Sequence, residues 1–150
     1  MSGPLSGLKV LELTSVVLGP WAAQTMADMG ANVIKIEAPF GDSNRQLGAS
    51  RNPGMAALYL SNNRNKRSLV LDLKQESARD ALLAIVKDCD VFLHNNRPQV
   101  MTKLDWNTKI SSLLMKILFI VELMDTVKMD LMEKKELWMI LFRQLVGSLH

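Results

Sequence analysis

The stretch that decides the fold runs from Gly7 to Glu37, GLKVLELTSVVLGPWAAQTMADMGANVIKIE. Leu8 to Leu13 (LKVLEL) is a short apolar run suited to a buried strand, and the loop behind it ends in Gly19-Pro20. Proline lacks an N–H that a first helical turn would leave unpaired anyway, so a helix is expected from Pro20 to Met29. Gly30 can stop that helix in a left-handed cap. Asn32 to Glu37 (NVIKIE) supplies a second, β-branched strand. Strand, ten-residue helix and strand make a right-handed βαβ unit, which predicts parallel pairing.

Outward from this unit the alternation continues. After a loop containing Pro39, Gly41, Gly48, Pro53 and Gly54 come a helical turn around Met55 to Leu60 and a strand from Ser68 to Leu71. A helix from about Glu76 to Lys87 and a strand from Asp90 to His94 complete the expected set. The fold class is therefore α/β, a Rossmann-like parallel sheet with flanking helices. Near Leu104 the composition changes: seven of the eight glycines, all five prolines and every alanine precede it. Residues 1–104 form one expected unit, incomplete as a sheet, and residues 105–150 a tail that is helical or disordered.

The chain has 150 residues, 48% hydrophobic and 22% charged, with a mean hydropathy of +0.08. Those values describe a globular chain and argue against disorder or collagen. The net charge of +3 resides wholly in residues 1–104, with 12 basic against 9 acidic side chains, because the tail carries 6 of each. An anion site belongs in the first segment, while nucleic-acid binding would require a denser basic stripe. Cys89 is the only cysteine, which excludes an intramolecular disulfide framework and a cysteine-rich zinc site. The start shows no secretory pattern, and the longest purely apolar tail run, Ile117 to Val121, is too short to span a bilayer, so a cytoplasmic protein off the membrane is expected. The loop LTSVVLGP lacks the G-x-G-x-x-G of dinucleotide sites, and no Walker A, H-E-x-x-H or G-x-S-x-G pattern occurs.

Three segments together are more informative: the stretch from Gly7 extended through EAPFGD, then NRNKRSLVLDLK, then DVFLHNNRPQVMTKL. In order and spacing they resemble the class III coenzyme A transferases, a family that includes the CaiB/BaiF proteins, formyl-CoA transferase and α-methylacyl-CoA racemase. The resemblance covers about residues 4 to 104. It implies a Rossmann-like domain that binds CoA, a smaller domain, and two chains threaded through one another as an interlinked homodimer. It also implies transfer of CoA from an acyl-CoA to a carboxylic acid, with CoA or acyl-CoA as substrate and no tightly bound cofactor. A downstream aspartate would attack the thioester and hold CoA as an enzyme thioester. Racemases of the same superfamily instead use a downstream His and Asp pair. No catalytic residue and no metal ligand is expected within the matched segment.

Position by position, the resemblance puts Leu71 and Lys74 at the adenosine end of CoA and Asn95 and Lys103 farther along its channel. A lysine can neutralise phosphate as a mobile charge, and Leu71 can cover an adenine face. Ala38 stands where the family has a basic residue, which leaves Arg45 as a possible replacement. Ser15 and Val17 stand where transferases often carry His and Gln. Read by itself, NRNKRS is a solvated basic loop; read within the family, it faces CoA phosphates. His94 reads as a structural polar residue, Cys89 as a buried apolar one, and Asp28 and Asp72 as solvated or capping residues.

The resemblance stops after Lys103-Leu104, and a one-base displacement of the reading frame restores it. Met124 to Met132 can be written in codons that, read from each third base, give Gly-Tyr-Gly-Gln-Asp-Gly-Pro-Tyr. In the same frame Leu104 to Lys109 gives Gly-Leu-Glu-Tyr-Lys, Leu118 to Glu122 gives Ile-Tyr-Cys-Arg, and Trp138 to Ser148 gives Asp-Asp-Ile-Ile-Gln-Ala-Thr-Ser-Gly-Ile. Four family motifs in order and in one frame point to a base lost at or just after codon 104. A frameshifted tail predicts a catalytically incompetent fragment with exposed strand edges. The rival reading packs Ile110 to Leu145 as two amphipathic helices on the sheet, making a small noncatalytic CoA- or nucleotide-binding module.

Overall fold

The computed structural model describes residues 3–96, 98–103 and 119–122. Its elements run in chain order β1 (Lys9–Leu13), α1 (Leu18–Asp28), β2 (Asn32–Glu37), α2 (Ala57–Asn63), β3 (Arg67–Val70), α3 (Glu76–Val86), β4 (Val91–His94), α4 (Pro98–Lys103) and β5 (Phe119–Glu122). All pairings are parallel and the strand order is β3-β2-β1-β4-β5. This is the doubly wound order expected of successive right-handed crossovers, with its topological switch between β1 and β4. The βαβ unit read from Gly7 to Glu37 is present, and Asn32–Glu37 keeps both of its expected ends. Three short elements were not expected from the sequence: the 3-10 turn Ser43–Gln46, helix α4, and β5, which extends the sheet beyond β4 by parallel pairing within a tail expected to be helical or disordered. Apart from Phe119–Glu122, the expectations for residues 105–150 fall outside the described residues.

Side chains alternate across each strand, so the sheet builds two cores. On one face Leu11, Ile36 and Phe92 pack with Leu82 and Val86 of α3 and with Cys89. On the other, Val10, Val33, Val91 and Leu93 pack with Ala23 and Ala27 of α1. Alanines on α1 let its backbone lie close to the sheet, and each fully buried Val or Leu contributes about 1.5–3 kcal/mol. Close approach also explains two glycines. A Cβ on Gly19 would lie 2.4–2.7 Å from the Thr14 side chain, and Gly30, at φ +98°, lies against the Gly3 backbone. Gly30 thus ends α1 in the left-handed conformation expected of it.

Candidate functional site

Ligands of open parallel sheets bind beyond the carboxyl ends of the strands, at the switch point. Here that place is the loop from Thr14 to Val17, between β1 and α1. Its backbone is fixed from several directions. Asn95, just past β4, donates Nδ2 to the Ser15 carbonyl at 2.9 Å and accepts the Ser15 N–H on Oδ1 at 3.1 Å. Lys35 Nζ donates to the Thr14 carbonyl at 2.9 Å, and Asn44 Nδ2 donates to the Val16 carbonyl. Val16 has φ +71°, a conformation that costs a β-branched residue on the order of 1–3 kcal/mol and persists only where the surroundings impose it. Ser15, Val16, Val17 and Leu18 are nevertheless exposed. The result is a rigid rim that presents one hydroxyl and several apolar side chains at the switch point.

Beneath the rim lies a charged interior that follows from the alternation of VLEL and VIKIE. Glu12, Lys35 and Glu37 point to the α1 face from the carboxyl ends of β1 and β2, and all three are buried. Glu12 bridges two lysines: Oε1 lies 3.1 Å from Lys35 Nζ and Oε2 lies 2.8 Å from Lys66 Nζ. Asp42 adds a second carboxylate 2.8 Å from Lys35. Lys66 also donates to the Pro20 carbonyl at 2.7 Å and to Asn63 Oδ1 at 2.9 Å, tying β1, α1 and α2 together. Burial is the main influence on Lys66 and draws its ammonium down to about 8, against the opposing pull of Glu12.

Glu37 forms a second centre. It accepts Arg45 Nε at 2.7 Å and Nη2 at 2.9 Å, Ser68 Oγ at 2.7 Å, Tyr59 Oη at 3.0 Å and the Asp42 N–H at 3.0 Å. Burial pulls its carboxyl upward, but these donors, Arg45 foremost, hold it at about 2. Burial and then Glu37 push the Tyr59 phenol well above its ordinary value. The Arg45 guanidinium lies 3.8 Å above the Tyr59 ring, and Nη1 donates to the Gly54 carbonyl. Arg45 is thus bonded inward, to Glu37, Tyr59 and the Gly54 carbonyl.

The four residues expected at CoA all follow the carboxyl ends of strands. Leu71 comes directly after β3, half-buried against the α3-face core. Lys74 stands exposed on the next turn, and its ammonium forms no ion pair or hydrogen bond among the described residues. Asn95 lies beyond β4, and its amide is occupied by Ser15. Lys103 is the last residue of α4. In the strand order, β3 and β4 are separated by β2 and β1, so the Lys74 turn and Asn95 are not neighbours.

Within the NRNKRS segment Arg64 and Arg67 are exposed to solvent, as the solvated-loop reading expects, whereas the Lys66 side chain is buried. Lys66 is buried among carboxylates, Arg64 pairs with Asp28 at 2.7 Å, and Arg67 donates to Asn32. Each of the three cations is thus bonded within the fold. Asp28, read as solvated or capping, accepts from Arg64, Asn65 and Gln24, and those bonds hold its carboxyl at about 2. Cys89 is buried as expected, with burial raising its thiol. The sequence reading missed Glu12, Lys35, Glu37 and Lys66. The available signal was the placement of charges at alternate positions of otherwise apolar strands.

The description "CoA-transferase family III" belongs to the family whose profile matches residues 5–112. The chain is 43% identical over 103 residues to a probable fatty acyl-CoA transferase of Mycobacterium tuberculosis, covering 67% of this chain and 26% of that protein. It is 44% identical over 107 residues to the acetyl-CoA:oxalate CoA-transferase of Acetobacter aceti, covering 70% and 27%. The crystal structure of the mycobacterial protein superposes with a TM-score of 0.73 at 36% identity, over 82% of this chain and 33% of that one. A CaiB/BaiF family protein from Brucella suis superposes with a TM-score of 0.69 at 34% identity, over 75% and 31%. The chain spans about a quarter of the length of the curated relatives it matches.

Proposed function

Because the chain belongs to CoA-transferase family III, we propose that its rim is the CoA-facing part of an enzyme that moves CoA from an acyl-CoA to a carboxylic acid. The observation that carries this reading is the common placement of Leu71, Lys74 and Asn95 on one carboxyl rim. The turn after β3 and the loop after β4 lie three interstrand spacings apart, about 14 Å. That separation suits a long ligand with its adenosine end at Leu71 and Lys74 and its thioester toward the switch point. Asn95 then acts by holding Ser15, and the exposed loop Ser15 to Val17 faces the acyl group. In the parent reaction an aspartate outside the matched segment attacks the thioester carbonyl and expels the CoA thiolate, leaving an anhydride. The thiolate attacks the aspartyl carbonyl, releasing the donor acid and forming the enzyme thioester, from which the acceptor carboxylate takes CoA by the reverse sequence.

The same proposal includes a base lost at or just after codon 104, close to where the family match stops at residue 112, and hence no transfer by this 150-residue chain. It further includes a cytoplasmic setting and an interlinked homodimer for the intact parent. Sequencing the DNA through codon 104 tests the frame: an intact family frame downstream supports the loss, and its absence refutes it. Assay of the chain and of the frame-restored protein for acyl exchange between an acyl-CoA and a dicarboxylate tests the activity. Exchange only by the restored protein is expected, and exchange by the 150-mer itself overturns the reading. Ser15 and Val17, at positions where transferases often carry His and Gln, favour a second reading, an α-methylacyl-CoA racemase-type parent. Exchange of an α-proton without CoA transfer would select it. Micromolar, saturable CoA binding by a folded 150-residue monomer, measured by calorimetry, together with neither acyl nor α-proton exchange by the frame-restored protein, would indicate a noncatalytic binding module.

A further inference from the structure

The turn that carries Lys74 is fixed by hydrogen bonds to the chain itself. The Leu71 N–H donates to the Glu37 carbonyl at 2.9 Å, extending the β2–β3 ladder past the end of β3. The Asp72 carbonyl accepts the Gln75 N–H at 2.9 Å and the Asp72 carboxylate accepts the Lys74 N–H at 3.2 Å, a turn closed by its own aspartate. Two carbonyls of the turn remain, those of Leu73 and Lys74. Both are taken by one nitrogen, Arg79 Nη1, at 3.1 and 2.9 Å. Arg79 is itself secured on α3, where its backbone N–H donates to the Gln75 carbonyl at 3.2 Å.

We propose that Arg79 is a positioning residue, one that holds the Lys74 backbone so that the exposed ammonium meets an anionic group at the adenosine end of CoA. The role rests on the reading of Lys74 given above. A planar guanidinium is suited to it, because its N–H directions are fixed and little freedom is lost as two bonds form. Ordering the backbone in the free protein lowers the cost of recruiting a flexible lysine to a phosphate. Arg79 touches no ligand in this arrangement and acts only through the turn.

The test uses the full 150-residue chain, with amide hydrogen exchange as one readout and titration with adenosine 3′,5′-diphosphate as the other. Arg79→Ala is expected to speed exchange at Lys74 and Gln75 about ten-fold while leaving Val10 and Leu11 unchanged, and to weaken the diphosphate several-fold. Arg79→Lys should restore part of both. Lys74→Ala should abolish binding without altering exchange. Unchanged exchange in Arg79→Ala overturns the anchoring itself. If exchange responds but Lys74→Ala binds the diphosphate as well as the unsubstituted chain, the ligand reading of the turn falls, and the positioning role falls with it.

Discussion

The two faces of this sheet are built from the same strands by opposite means. On the α3 face, Leu11, Ile36, Phe92, Leu82 and Val86 form an apolar layer. On the α1 face, the amino ends of the strands carry Val10 and Val33, whereas the carboxyl ends carry Glu12, Lys35 and Glu37. The apolar layer stabilises through area removed from water and has no preferred direction. The charged layer is directional: besides the strand-to-strand bonds Glu12–Lys35 and Glu37–Ser68, its bonds end on groups of loops and helices, among them the Thr14 and Pro20 carbonyls and the Asp42 N–H. Buried ion pairs give little net stability compared with apolar residues of similar volume. What they supply here is the position of the Ser15 to Val17 loop, whereas Leu71 and the Lys74 turn are held from the α3 face.

The comparison can be broken most forcefully at Glu12. Replacing it by Ala leaves Lys35 and Lys66 buried without their shared counter-charge, and about 3–5 kcal/mol of stability should be lost in urea unfolding. A loss under 1 kcal/mol would show that water reaches these lysines. On the opposite face, Leu82→Ala should cost about 3 kcal/mol through its cavity, with exchange of the Ser15 to Val17 amides accelerated no more than that of the whole domain. Preferential loosening of the rim by Leu82→Ala would contradict the division of labour.

Titration sharpens the contrast. Glu37 is lowered from 4.5 to about 2, so its contribution is complete above about pH 4.5 and disappears as pH falls toward 2, on the order of 3 kcal/mol. Arg45→Met should flatten that acid limb. Lys66 is lowered from 10.5 to about 8, so between those values the unfolded chain binds more protons than the folded one, and stability rises with pH. A rise on the order of 2 kcal/mol between pH 8 and 10 is expected, and its persistence in Lys66→Met would assign it to another group. The smallest effect belongs to Val16, whose left-handed backbone a glycine adopts freely. Val16→Gly should stabilise the chain by about 1 kcal/mol, read as a higher urea midpoint.

The parallel sheet was legible because its signals are local: Val-Ile-Lys-Ile-Glu between a glycine and a proline reads as a strand wherever it occurs. The positions proposed to face CoA could be named only through resemblance, since Leu71, Lys74 and Asn95 have nothing in their spacing that names a ligand. The partners of Arg45, Arg64 and Lys66 were hidden for a related reason. A basic side chain looks the same in sequence whether it meets a phosphate or a buried carboxylate, and the carboxylates concerned, Glu37, Glu12 and Asp28, lie 8 to 54 residues away along the chain.

Sequence alone determined the alternation of strands and helices, the parallel sheet and the change of character near Leu104, because each depends on periodicity or composition within a short window. The tertiary structure decided which charges are committed inward and which remain exposed at the rim. Lys66 and Lys74 differ little as letters. One meets Glu12 across the crossover of α1 and α2, the other stands on a turn held by Arg79, and only the folded path of the chain separates a buried structural cation from one available to a ligand.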